Sequence, residues 1–279
     1  MLWNILEIHK KIKCFTNELN EKHVSAYAAK TAYFIMLSFI PFLMLFCTII
    51  QYTPLHKADV LSLFVGAVPS SIDPLVISVI DEIYGKSGAM ISVSVVVVLW
   101  TAGKGVTAMI QGLNSVFDVK ETRNYFVLRI YGAVYTVLIM FSVLVLLVLI
   151  VFGNKIQSNI LVHIPLIGSV TGAVLEKRYV ISVCFLILIF AVIYCFMPNT
   201  HIRFKYQLPG AVFTAFSWSA FSFGFSVYVD YFSNMTNMYG SLTTLIIVML
   251  WLYMCMYIML TGASINEIML EKREIEDNG

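Results

Sequence analysis

The stretch Ser94-Val-Val-Val-Val-Leu-Trp100-Thr-Ala-Gly-Lys-Gly105 decides the fold class. Its β-branched run alone would fit a buried strand, but apolar sequence continues from about residue 88 to 112 without turn signals. That length predicts a membrane-spanning helix. Lys104 lies inside it, where a cation costs roughly 2.5–3.5 kcal/mol on insertion scales. Lys104 therefore either extends to a membrane interface or has a functional role, and both interpretations fit the sequence.

The composition excludes an ordinary soluble domain. Of 279 residues, 59% are hydrophobic and 12% are charged, so too few charges exist to cover a soluble surface. The net charge of +2, without a basic tail, gives no sign of nucleic-acid binding. The five cysteines lack the spacing of metal ligands. The sequence predicts a protein whose partners are membrane lipids, with no catalytic, cofactor-binding or metal-binding residue.

The predicted fold is an all-α integral membrane protein in three parts. Residues 1–27 alternate apolar and charged positions, which is typical of an amphipathic helix at the cytoplasmic interface. Residues 28–267 form a six-span transmembrane domain, and residues 268–279 form a cytoplasmic tail. The six spans cover about 28–52, 88–112, 130–152, 179–197, 210–232 and 242–266. Residues 53–87 are too polar to span and predict short interfacial helices on the outer face.

Lysine and arginine residues concentrate on one side of this topology. Twelve of them fall on the side of the two termini: Lys10, Lys11, Lys13, Lys22, Lys30, Lys120, Arg123, Arg129, Arg203, Lys205, Lys272 and Arg273. The positive-inside rule therefore predicts cytoplasmic N and C termini. Small residues on the fifth span, Gly210, Thr214, Ser217 and Gly224, predict close packing against another span of the same chain.

In its order of motifs the chain resembles the YihY/BrkB family of bacterial membrane proteins. The matching pieces are Ala29-Lys-Thr-Ala-Tyr33, Trp100-Thr-Ala-Gly-Lys-Gly105, Leu113-Asn114, Glu121, Arg123, Pro198-Asn199, Pro209-Gly210-Ala211, Tyr239-Gly240-Ser241-Leu242, Trp251-Leu-Tyr253, Gly262-Ala263 and Asn266-Glu267. The resemblance implies a six-span, multi-pass protein of the bacterial cytoplasmic membrane. It does not supply a biochemical function.

Some members of that family have carried a ribonuclease label. A hydrolytic nuclease needs clustered metal ligands or a water-accessible acid–base pair. The five histidines of this chain are scattered, and no paired-carboxylate cluster occurs in an aqueous segment. Gly103-Lys104-Gly105 lacks the spacing and the Ser/Thr of a phosphate-binding P-loop. We therefore expect the protein not to be an enzyme.

The candidate substrate-binding residues lie at the predicted inner ends of the spans: Lys104, Gly103, Gly105, Arg123, Arg129, Asn266 and Glu267. In one interpretation, these cations hold an anionic headgroup, and the protein is a non-ATP-driven transporter or flippase-like handler of an anionic lipid or amphiphile. In the other, the charges form an ion-pair network, and the protein is a membrane scaffold or assembly partner in envelope maintenance. The sequence leaves both open.

Overall fold

The computed structural model is all-helical in the part of the chain that it describes, which comprises residues 2–51, 77–78, 81, 89–151, 178–200, 202–231 and 241–278. Seven helices are present in these ranges: α1 (Leu2–Glu21), α2 (Val24–Gln51), α3 (Ala89–Val116), α4 (Tyr125–Val151), α5 (Arg178–Phe196), α6 (Phe204–Tyr231) and α7 (Ser241–Asn278). Six of them overlap the six predicted spans. The predicted outer helices of 53–87 lie outside the described residues, except for positions 77–78 and 81, which are helical.

Two residues with positive φ separate the helices on one side of the bundle. His23, with φ 54°, turns the chain between α1 and α2, and Asp118, with φ 51°, follows the end of α3. Asparagine, aspartate and histidine adopt this left-handed conformation more readily than other non-glycine residues. Both turns contribute to one polar region, because the side chains of Lys22 and Asp118 meet there.

Helix α2 packs along α3, and α7 packs against both α2 and α6. Helix α5 contacts α6, and α4 lies beside α3. The core between them is apolar and includes Ile110, Leu113, Tyr194, Met259 and Leu260, all fully buried. The outer faces of α4 and α6 are also apolar: Phe126 is 73% exposed and Phe223 is 74% exposed. Such outward-facing phenylalanines fit a hydrocarbon environment and do not fit water.

Two helices in the described part are long and apolar enough to cross a membrane, Phe204–Val229 and Leu245–Arg273. Tyr125–Leu138 and Val180–Phe196 are shorter apolar helical segments. The all-α membrane class therefore agrees with the structure at this level. The count of six spans stays a prediction.

Small residues set the closest helix contact, between α6 and α7. A Cβ added at Gly210 would collide with the carbonyl oxygen of Gly262, and one added at Gly262 would collide with Thr214 Oγ1. The predicted packing face is thus confirmed for Gly210 and Thr214, both buried. It is wrong for Gly224, which is exposed, with no described atom within 4 Å of the position that a Cβ would take. At the turn of α6 that contains Gly224, this side of the helix no longer faces α7.

Candidate functional site

The seven residues predicted from the sequence divide into three groups in the structure. Gly103, Lys104 and Gly105 lie on α3, with Arg129 opposite them on α4. Arg123 lies in the segment between α3 and α4, and Asn266 and Glu267 lie on α7. Each group has its own set of neighbours, so the residues do not form the single inner mouth that the sequence suggested.

Lys104 and Arg129 share one aromatic ring. The guanidinium carbon of Arg129 lies 4.2 Å from the ring centroid of Trp100, and Lys104 Nζ lies 5.7 Å from the same centroid. Lys104 Nζ also lies 5.6 Å from the ring centroid of Phe34 on α2. These distances are those of cation–π contacts. Trp100 is 53% exposed, and Lys104 and Arg129 are each half-buried. We call Phe34, Trp100, Lys104 and Arg129 the cation–aromatic group.

Glycines bring α3 and α4 close enough for this arrangement. A Cβ at Gly132 on α4 would lie only 3.0 Å from the carbonyl oxygen of Gly103. A Cβ at Gly103 would lie 3.9 Å from Arg129 Nη1, so the guanidinium passes directly over this position. Gly105 faces the other way, because a Cβ there would lie 3.3 Å from Ile35 Cγ1 on α2. Gly103 therefore belongs to the candidate site, and Gly105 serves helix packing.

Neither cation of this group forms an ion pair with a carboxylate in the part of the chain that the structure describes. Arg129 Nη2 is buried and has no hydrogen-bond partner there. A buried donor without a partner costs free energy, more so on a charged group. An anion within hydrogen-bond reach of Arg129 Nη2 would satisfy that donor with a charge-assisted hydrogen bond.

Arg123, by contrast, is paired with a carboxylate. Its Nε donates to Glu121 Oε1 at 2.7 Å, its Nη2 donates to Glu121 Oε2 at 2.8 Å, and Nη2 also reaches the carbonyl oxygen of Met197 at 3.2 Å. Asn114 Nδ2 donates to Glu121 Oε2 at 2.8 Å, and Asn114 Oδ1 accepts the backbone N–H of Asn199 at 2.8 Å. These bonds join the end of α3 to the end of α5. The hydrogen bonds from Arg123 lower the pKa of Glu121.

Glu267 and Asn266 also have internal partners. Lys22 Nζ lies 2.8 Å from Glu267 Oε2 and 3.2 Å from Asp118 Oδ2, and it donates to the carbonyl oxygen of Val116 at 2.7 Å. Asn266 Oδ1 accepts the backbone N–H of Gly210 at 2.6 Å. Asn266 Nδ2 donates to Gln207 Oε1 at 2.7 Å. Both residues tie α7 to its neighbours, which is a structural role.

Comparison with known proteins shows the family of this chain. The sequence model described as Virulence factor BrkB matches residues 15–279. The chain belongs to the BrkB family. It is 32% identical over 254 residues to the "Putative ribonuclease-like protein YfkH" of Bacillus subtilis strain 168, covering 90% of this chain and 91% of that protein. It is 25% identical over 265 residues to a "UPF0761 membrane protein" of Pseudoalteromonas atlantica, covering 92% and 85%. No solved structure matches.

Membership in the BrkB family confirms the resemblance and supports association with a membrane. The description "ribonuclease-like" is part of the name of the Bacillus relative and is said of that protein. Among the residues described for this chain, no group of three or more His, Cys, Asp or Glu side chains could hold a metal ion.

Two participants in the site are not evident from the sequence. By its sequence position Trp100 fits a membrane-belt anchor or core filler, yet Lys104 and Arg129 both form cation–π contacts with its ring. Trp100 and Lys104 are four residues apart, which places them on one face of α3. Gly132 gives no signal of its own, because a lone glycine in an apolar run does not show which helix approaches it.

Proposed function

We propose that this protein binds and moves an anionic lipid or amphiphile across the bacterial cytoplasmic membrane without ATP, using the cation–aromatic group to hold the anionic head. The observation that carries the proposal is the pair of cations on Trp100 with no carboxylate partner among the described residues. An ion pair would neutralise such charges, whereas an aromatic face leaves them available to an anion.

The surroundings of the group suit a ligand with an apolar tail. On α2, Tyr33 is 50% exposed and Leu37 is 46% exposed; on α3, Val97 is 39% exposed. An amphiphile could place its charged head at Lys104 and Arg129 and its tail along these side chains. In the proposed arrangement the chain crosses the membrane six times with both termini in the cytoplasm, and it binds its ligand without chemical conversion.

The test is flux in proteoliposomes with fluorescent phosphatidylglycerol and, separately, fluorescent phosphatidylcholine. Lys104→Met/Arg129→Met keeps the apolar stems and removes both charges. We expect this variant to lose phosphatidylglycerol flux by at least about tenfold. Lys10→Met/Lys120→Met, which removes two charges from exposed positions elsewhere, is the matched control and is expected to keep full flux. Lys104→Arg keeps the charge, and we expect this variant to retain part of the phosphatidylglycerol flux.

The alternative is a membrane scaffold without transport. It is favoured by the internal partners of Arg123, Asn266 and Glu267, which are structural. If the folded Lys104→Met/Arg129→Met protein moves lipid as fast as the unaltered chain, or if neither moves any, the transport proposal is wrong. Rescue of an envelope defect by this variant would then support the scaffold.

A further inference from the structure

A second group of cations lies where α6 begins and α7 nears its end. A shallow recess at this place is lined by Lys205, Tyr206, Pro209, Met269, Leu270 and Arg273. Lys205 Nζ lies 5.0 Å from the ring centroid of Tyr206, and the guanidinium carbon of Arg273 lies 5.1 Å from it. Two cations thus share one tyrosine ring, as Lys104 and Arg129 share Trp100.

The described side chains that line the recess include two cations and no carboxylate. Among the neighbouring charges in the sequence, Arg203 and Lys272 are exposed cations, whereas Glu271 and Glu274 flank the Lys272-Arg273 pair. Neither Lys205 nor Arg273 forms an ion pair with a carboxylate of the described residues. Each cation near a membrane surface adds to the attraction for an anionic lipid headgroup.

An apolar stripe runs from the recess along α6. Pro209, Phe213 and Phe216 follow Tyr206 at steps of three and four residues, so they share one face of the helix. Phe213 is 40% exposed, Phe216 is 59% exposed, and the adjoining Val212 is 39% exposed. The stripe is an apolar surface next to the cations that an acyl chain could contact. A free phosphate ion would gain nothing from this surface.

The recess is also at the correct depth for a headgroup. It joins the ends of the two helices that are long and apolar enough to cross a membrane, Phe204–Val229 and Leu245–Arg273. Asn266 donates to Gln207 Oε1 and accepts the backbone N–H of Gly210, and these two hydrogen bonds hold the two ends side by side. In the proposed six-span arrangement, the cations lie at a membrane surface and the stripe faces the bilayer.

We propose that the recess at Lys205, Tyr206 and Arg273 is a binding site for one anionic phospholipid, with its phosphodiester on the cations and an acyl chain on the α6 stripe. This site is separate from the cation–aromatic group on α3 and α4. It does not require that the protein transport anything.

The experiment measures lipid binding to the full-length, detergent-solubilised protein by native mass spectrometry. The probes are phosphatidylglycerol, phosphatidylcholine and inorganic phosphate. Lys205→Gln/Arg273→Gln is expected to weaken phosphatidylglycerol binding by about tenfold, since each cation near the surface contributes to the attraction. The control Lys10→Gln/Lys120→Gln removes the same charge from exposed positions elsewhere and is expected to change binding less than twofold, or about 0.4 kcal/mol. Each variant is also measured in a protein that carries Lys104→Met/Arg129→Met, so that the other candidate site is removed.

The ring is tested separately. Tyr206→Phe keeps the aromatic face and is expected to retain lipid binding. Tyr206→Leu is expected to weaken lipid binding several-fold, because Lys205 and Arg273 lose their cation–π contact. Equal losses in Lys205→Gln/Arg273→Gln and in the control would show that only overall charge matters and would overturn the proposal. Competition by inorganic phosphate as effective as that by phosphatidylglycerol would also overturn it. Unchanged thermal unfolding of each variant shows that it is folded.

Discussion

Individual cations of this protein are held in two different ways. Lys22 and Arg123 meet carboxylates inside the bundle, where each charge is neutralised and helix ends are joined. Lys104 and Arg129 lie on the face of Trp100 instead, and Lys205 lies on that of Tyr206. An aromatic face orients a cation without cancelling its charge. The first arrangement stabilises the fold, and the second leaves the cation without a carboxylate partner among the described residues.

Removing the ammonium of Lys22 tests the structural arrangement. Lys22→Met leaves the buried carboxylate of Glu267 without its cation, and breaking a buried pair in this way costs about 3 kcal/mol. We expect a clear fall in the thermal unfolding temperature in detergent. Lys22→Met/Glu267→Gln, which removes both charges, is expected to recover part of the lost unfolding temperature. Comparison of this double variant with the two single variants in a double-mutant cycle gives the coupling energy of the pair. Simple addition of the two single effects would show that the pair does not stabilise the fold.

Acid should loosen the connection between α3 and α5. Because its folded-state pKa is lowered by Arg123, Glu121 stabilises the fold above its unfolded pKa, and this contribution is lost as the pH falls through the folded pKa. Glu121→Gln is expected to lower the unfolding temperature at pH 7 by roughly 2–4 °C. The difference from the unaltered chain should shrink in acid below about pH 4.5, which scanning calorimetry can follow. A difference that is the same at all pH values would contradict this assignment.

Among the helices, the crossing of α6 and α7 is the closest contact. Gly210 and Gly262 let the two backbones meet, and Asn266 bonds across the gap to Gly210 N–H. Tyr194 on α5 donates to the carbonyl oxygen of Met259 at 2.6 Å and lies 2.7 Å from Thr214 Oγ1. Small residues at such crossings allow van der Waals contact and interhelical hydrogen bonds, which replace the hydrophobic effect as the source of association in lipid.

Two glycine substitutions separate packing from helix propensity. In Gly262→Ala, the new Cβ would meet Thr214 Oγ1, Tyr194 Oη and the carbonyl oxygen of Gly210, so we expect destabilisation of about 1–3 kcal/mol. Gly224→Ala is the matched control, because its new methyl group meets no described atom within 4 Å and alanine favours a helix. Unfolding temperatures in detergent should fall for the first variant and stay level or rise for the second. The opposite order would mean that the crossing is looser than described.

Over the part of the molecule that the structure describes, apolar side chains point outward, and the ion pairs gather around Lys22 and Arg123, in the turns after α1 and α3. This distribution fits a bilayer, in which a polar belt meets the interface and phenylalanines meet hydrocarbon.

Labelling of single cysteines tests the orientation. In a background without the native cysteines, we expect cysteines at Lys10 and Glu276 to be protected from an impermeant reagent in intact cells, because the positive-inside rule puts both ends in the cytoplasm. Cysteines at Asp59 and Asn159 are expected to react. Reaction of the cysteine at 276 from outside would refute the six-span orientation.

The sequence alone determined the all-α membrane class and the family, because the length and apolar content of each segment are local properties and because the motifs follow one another in a recognisable order. It also placed Lys104 in a helix beside small residues. It did not determine which cations are paired, since Lys22 meets Glu267, and Arg129 meets Trp100, only through contacts between distant segments.

Only the tertiary structure decided which way each helix faces. Gly224 points outward and Gly210 inward although both lie on α6, and Gly103 faces Arg129 while Gly105 faces α2. A helix that is apolar all round gives no hydrophobic periodicity from which its rotation could be predicted. Rotation is set by packing against neighbouring helices, so it emerges only when those neighbours are in place.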